Sequence, residues 1–190
     1  MMTTERNDRP NLLIVPGLGG SGAEHWQQLW HNDNSNSIII NQSDWDKPIL
    51  KDWLDNLNQT IESLTQPTLL IGHSLGSILI TIWANQHYND NIIGALIVAP
   101  ADVDSAEHTP DIIRDFAPIP LQKLKFPSLV ITSTNDPYVS VERATFFSEK
   151  WGSDFVSIGL RGHINTLSNL GQWDEGKELL SSFINKLKSN

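Results

Sequence analysis

The stretch from Pro67 to Gly76 constrains this chain more than any other. Thr68 to Ile71 is a short apolar run rich in branched residues, and Leu75 to Trp83 is apolar almost all round. Between them, Gly72-His73-Ser74-Leu75-Gly76 fits the Gly-x-Ser-x-Gly pattern, in which a serine sits on a strained turn from buried strand to buried helix. A side chain two residues either side of the serine would collide with backbone as the chain reverses, which explains the glycines. The helix N-terminus behind Ser74 then favours negative charge developing near it. A strand before and a helix after give the pentapeptide a meaning that a chance turn would lack, and Ser74 becomes the candidate nucleophile.

A serine nucleophile needs a base, and the base an orienting acid. On this type of turn the partners follow in the order serine, acid, histidine, on loops at the carboxyl ends of later strands. Asp136 lies in Thr134-Asn135-Asp136-Pro137, just past a strand ending near Thr132. His163 lies in Gly162-His163-Ile164-Asn165, just past a strand ending near Ile158. Asp102 and Asp104 follow an earlier strand and are the weaker alternatives for the acid. His31 and His87 fall at helix ends, His108 precedes the acid, and His73 suits packing. His25 and Trp26 adjoin a glycine-rich loop and are candidate pocket residues.

That loop, Pro16 to Gly22, carries two readings. Gly17, Gly19 and Gly22 satisfy the dinucleotide spacing Gly-x-Gly-x-x-Gly between a strand and a helix, and Asp44 stands near the distance of a ribose acid. Against this, Glu24 puts negative charge where a pyrophosphate would sit, and the acid comes late after a strand ending at Ile40. The alternative is an oxyanion hole made by the Leu75 amide and one from this loop, with Leu18 preferred over Gly17 or Gly19. A nucleotide-dependent oxidoreductase and an idle binding protein on the same frame stand as rival readings.

The remaining chain reads as strands alternating with helices. Strands are expected at 11–15, 38–40, 68–71, 92–99, 128–132 and 154–158. A helix carries Trp26, Leu29 and Trp30 on one face. The next begins near Asp46 and Pro48 and has the stripe Ile49, Leu50, Trp53, Leu54, Leu57, Ile61 and Leu64. Further helices run from the serine to about Tyr88, over 141–151 and over 174–187. The segment 100–127 holds three internal prolines and one short helix near 112–116, too little for a cap. Continuous apolar strands rather than alternating ones predict a mostly parallel sheet covered on both faces. The expectation is one three-layer α/β domain over residues 11–190 behind a flexible lead-in, 1–10.

A formal charge of −9 argues against binding a phosphate backbone. There is no cysteine, hence no disulfide or thiolate metal site. No metal-binding or P-loop pattern occurs, so no cofactor is expected. Without an apolar membrane span or leader, a cytoplasmic protein is expected, a monomer or small homo-oligomer whose partner is a small-molecule substrate.

Pro16 to Trp26, Gln42 to Trp45, Gly72 to Gly76, Asn135 to Val139 and Gly162 to Asn165 together resemble the YdeN-like serine hydrolases, small relatives of the retinoblastoma-binding serine hydrolase. The resemblance covers residue 11 to the C-terminus. It implies a reduced α/β-hydrolase fold without the first two strands of larger members, a triad on Ser74, Asp136 and His163, and carboxylester hydrolysis. The Leu-x-Cys-x-Glu motif tied to retinoblastoma binding cannot occur without cysteine, so that interaction is not carried over.

Overall fold

Six parallel strands form one sheet in the order β2-β1-β3-β4-β5-β6, in a computed structural model that describes residues 9–189. The strands are β1 (Asn11–Val15), β2 (Ser37–Ile39), β3 (Thr68–His73), β4 (Ile92–Val98), β5 (Ser128–Thr132) and β6 (Asp154–Ser157). The helices are α1 (Trp26–Asp33), α2 (Leu50–Glu62), α3 (Leu75–Gln86), α4 (Val141–Trp151) and α5 (Asp174–Lys188). Most of the expected lead-in, residues 1–8, lies outside the described residues.

Alternate side chains of each central strand enter different cores, which is why the strands read as unbroken apolar runs. Leu13, Val15, Leu70, Ile97 and Val130 join Trp53, Ile78, Trp83, Phe147 and Trp151 beneath α2, α3 and α4. Leu12, Ile14, Leu69, Ile71, Leu96 and Ile131 join Trp26, Trp30, Trp173 and Phe183 beneath α1 and α5. Helix α3 is apolar all round because it is buried almost throughout.

Two helix and strand starts differ from the sequence expectation. The turn at 44–47 is not helical, because the Asp44 carboxylate accepts the N–H groups of Asp46 and Lys47 at 2.9 Å each. Helix α2 therefore begins at Leu50, its first N–H donating to Asp115 Oδ2 at 3.2 Å, and Ile49 is exposed rather than part of the apolar stripe. Strand β2 begins one residue early and lies at the sheet edge, leaving Ile38 exposed. Residues 101–127, between β4 and β5, carry a single 3-10 helix, Asp111–Phe116. A second 3-10 turn, Thr166–Ser168, was not expected. Among the described residues no helix is long and apolar enough to cross a membrane.

Candidate active site

The chain reverses between β3 and α3 at Ser74, whose backbone adopts φ 54° and ψ −122°. A non-glycine residue there is strained by about 1–3 kcal/mol and persists only where its surroundings hold it. They do so closely. A Cβ on Gly76 would lie 2.1 Å from the Val15 carbonyl oxygen, and one on Gly72 would lie 2.7 Å from Ser77 Cα. Gly17 closes the site from a third side, since a Cβ there would lie 2.9 Å from both the His73 carbonyl oxygen and Ser74 Cβ. The Ser74 N–H and the Ser77 hydroxyl both donate to the Val98 carbonyl at 3.0 Å, fixing the turn to β4.

Loops after β5 and β6 bring an acid and a histidine to this turn. His163 Nε2 lies 2.8 Å from Ser74 Oγ. Its Nδ1 lies 2.9 Å and 2.8 Å from the two carboxylate oxygens of Asp136. A proton on Nδ1 serves Asp136 and leaves the Nε2 lone pair facing the serine hydroxyl, as proton abstraction requires. Asp136 also accepts the Tyr138 N–H at 2.8 Å, and its side chain is fully buried. The two loops brace one another, because the Gly162 N–H donates to Asn135 Oδ1 at 2.7 Å and the Arg161 N–H to Ser133 Oγ at 3.0 Å. Asp102 is engaged elsewhere, in a two-pronged pair with Arg143 at 2.8 and 3.0 Å.

The glycine-rich loop folds over the same turn. Among the described residues, the amides of Leu18 and Leu75 donate to no protein acceptor, whereas Gly19 N–H is held by the Trp45 carbonyl at 2.9 Å. Leu18 lines a cleft of about 270 Å³ together with His25, Ser74, Ile113, Tyr138 and Leu167. The start of α1, where a pyrophosphate would sit, is taken by the protein's own His25, whose Nδ1 accepts the Gln27 N–H at 3.1 Å. Asp44 is spent on its own turn. Neither residue supports the dinucleotide reading. Among the described residues no cluster of three acidic or histidine side chains could hold a metal ion.

Two of the remaining pocket expectations separate. His25 does line the cleft, and burial, followed by repulsion from the neighbouring His163, lowers its pKa to about 4, so it is neutral at neutral pH. Trp26 does not reach the cleft. It is 1% exposed, packed against Trp30 and Trp173 at ring distances of 4.7 and 4.8 Å, because α1 turns this apolar face to the sheet. Sequence reasoning also passed over His73 as a wall residue. Its ring stands 4.9 Å from that of His163, its Nε2–H donates to the His163 carbonyl at 2.9 Å, and burial holds its pKa well below the ordinary value. Tyr138, whose ring lies 4.4 Å from that of His163, was likewise passed over, although it stands two residues from Asp136.

Comparison with known proteins gives the family and the fold. The serine hydrolase family model matches residues 12–182. A YdeN-like hydrolase from Pectobacterium atrosepticum is 31% identical, with 94% of this chain and 92% of that one covered and a TM-score of 0.83. The ydeN gene product of B. subtilis shares the fold at 18% identity, over 93% of this chain and 100% of that one, with a TM-score of 0.75. Est1E from Butyrivibrio proteoclasticus, solved with ferulic acid bound, shares it at 16% identity over 100% and 94%, with a TM-score of 0.74. No curated protein sequence matches the chain. With a parallel sheet, the serine turn and a match along most of its length, the chain belongs to the serine hydrolase family, as a small YdeN-like member of the α/β-hydrolase superfamily.

Proposed function

We propose that this hydrolase cleaves small carboxylic esters with short acyl groups through a Ser74-His163-Asp136 triad and an acyl-enzyme intermediate. The observation that carries the reading is the unbroken hydrogen-bonded line from Ser74 Oγ through both ring nitrogens of His163 to Asp136. Ser74 Oγ attacks the ester carbonyl carbon as His163 Nε2 takes its proton, and Asp136 holds the ring and favours the imidazolium that forms. The amides of Leu75 and Leu18 donate to the oxyanion. Collapse of the tetrahedral intermediate breaks the bond to the alcohol oxygen, which leaves with the proton from His163. Water, deprotonated by the same nitrogen, then attacks the acyl-enzyme and releases the acid, returning Ser74 and His163 to their starting states.

Uncharged walls favour neutral groups over anionic ones, and the cleft volume suits a short chain. A fluorophosphonate read by intact mass tests the chemistry. One adduct should form, mapped to Ser74, and Ser74→Ala should abolish both the adduct and p-nitrophenyl acetate hydrolysis while remaining folded. Labelling at another serine, or folded wild-type protein that takes no label, would sink the assignment.

A further inference from the structure

The loop that carries His163 travels far. It leaves β6 at one edge of the sheet and reaches α1, which follows β1 near the other edge. It is met there by ring donors. The Trp26 indole N–H donates to the Ile164 carbonyl at 2.8 Å, and the Trp30 indole N–H to the Gln172 carbonyl at 2.8 Å.

Ile164 is the informative residue. It has φ +50° and is fully buried, and a β-branched residue in the left-handed region is an outlier that relaxes unless it is held. Its side chain belongs to the core that contains Trp26 and Trp173, and its carbonyl is the one that Trp26 grips. Helix α1 is itself tied to the nucleophile's strand, because the Gln27 side-chain amide donates to the Ile71 carbonyl at 3.0 Å. Trp26 therefore connects the frame that carries Ser74 to the peptide unit between Ile164 and Asn165, one residue beyond His163.

We infer that Trp26 is a positioning residue, whose indole N–H holds the left-handed turn at Ile164 and thereby sets the His163 imidazole against Ser74 Oγ. The inference rests on the reading of His163 as the base for Ser74. It assigns Trp26 a place behind the reacting groups, with no contact to substrate. A displacement of about 1 Å in a reacting group costs up to about 100-fold in rate, so partial loosening should cost about 10-fold.

The test compares Trp26→Phe with Trp30→Phe, which removes a similar donor from the same cluster at the far end of the loop. Both are followed by the rate of fluorophosphonate labelling and by kcat and KM for p-nitrophenyl acetate. Trp26→Phe should slow labelling and lower kcat about 10-fold with KM unchanged, and Trp30→Phe should stay within about twofold of wild type. Benzothienylalanine at position 26 keeps the ring shape without the N–H and should show the same slowing, which covers the case in which Trp26→Phe does not fold. Equal labelling rates in wild type and the benzothienylalanine protein would overturn the inference alone, as would a rise in KM with kcat intact. Wild-type protein that takes no label at Ser74 would overturn the triad reading and this inference with it.

Discussion

Replacing Gly76 by alanine sets two effects of opposite sign against each other. Alanine is the better helix former by about 1 kcal/mol in a helix interior, and less in the first turn of α3, where Gly76 stands. The new Cβ, however, would lie 2.1 Å from the Val15 carbonyl oxygen and 2.5 Å from that of Pro16. Restoring contact distance requires a retreat of roughly 1 Å, and a clash with backbone cannot be relieved by rotating a side chain. Strand β1 cannot give way easily, because it is paired on both sides, to β2 and to β3. Overpacking a core costs about 1–3 kcal/mol where side chains can adjust, and this site belongs at or above the upper end. The clash wins, by about 2 kcal/mol or more after the gain in propensity.

Urea unfolding followed by tryptophan fluorescence measures the stability term. With a slope of about 2 kcal/mol per molar, the midpoint should fall by about 1 M while the protein remains folded in buffer. The same displacement moves Ser74, two residues earlier, so fluorophosphonate labelling should slow by about 10-fold or more. Gly22→Ala is the control, since a Cβ there meets nothing within 4 Å, and it should stay within about 0.5 kcal/mol of wild type. A Gly76→Ala protein with an unchanged midpoint and labelling rate would refute the close approach of β1 to α3.

Three further outcomes are expected. His25 takes up its proton near pH 4 when folded and near 6.5 when unfolded, so its stabilising contribution is complete above pH 6.5 and is lost as pH falls towards 4, by about 3 kcal/mol in total. The urea midpoint should therefore drop between pH 7.5 and pH 5, and drop less in His25→Phe; equal midpoints at both pH values would contradict this. Asp136→Asn should lower kcat about 1,000-fold or more, whereas Asp102→Asn, which leaves the partly exposed Arg143 with only the longer pair to Asp104 at 3.5 Å, should cost about 1–2 kcal/mol of stability and leave kcat within about threefold. If Asp102→Asn is the more damaging to kcat, the acid has been misassigned. Across p-nitrophenyl esters from acetate to palmitate, used below aggregation, kcat/KM should level or fall beyond about four to six carbons, because added methylenes pass the rim of the cleft and forgo most of the roughly 0.8 kcal/mol each gains on full burial. A steady rise to long chains would mean that the cleft opens into a covered tunnel.

What could be read from sequence was local. The glycines at 72 and 76 are two residues from Ser74, and their purpose follows from the reversal of the chain at that one residue. Asp136 and His163 could be placed at the ends of β5 and β6 because apolar runs end just before them, and a parallel sheet gathers such loops at one edge. The start of α2 was misread for a local reason too. Asp46 and Pro48 resemble a helix start, but the Asp44 carboxylate two residues earlier offers the backbone a competing turn. Asp102 looked available as an acid because its partner, Arg143, stands 41 residues away and carries no mark of the pairing.

Trp26 shows why the remaining misreading could not have been avoided. Its spacing with Leu29 and Trp30 correctly gave a helix face, but its position after the glycine-rich loop made it a candidate pocket wall, whereas it packs in the core beside the cleft. Which side of the site it occupies depends on a loop 138 residues further along the chain. Periodicity reports that a side chain is buried and says nothing about what its one polar atom finds there. A buried indole must still find an acceptor, and here the acceptor is a carbonyl in the loop that follows β6 and carries His163. The left-handed Ile164 is equally silent, since no sequence rule places a β-branched residue at positive φ. Strain of this kind survives only where several contacts converge on it, so it could be recognised only once those contacts were seen together.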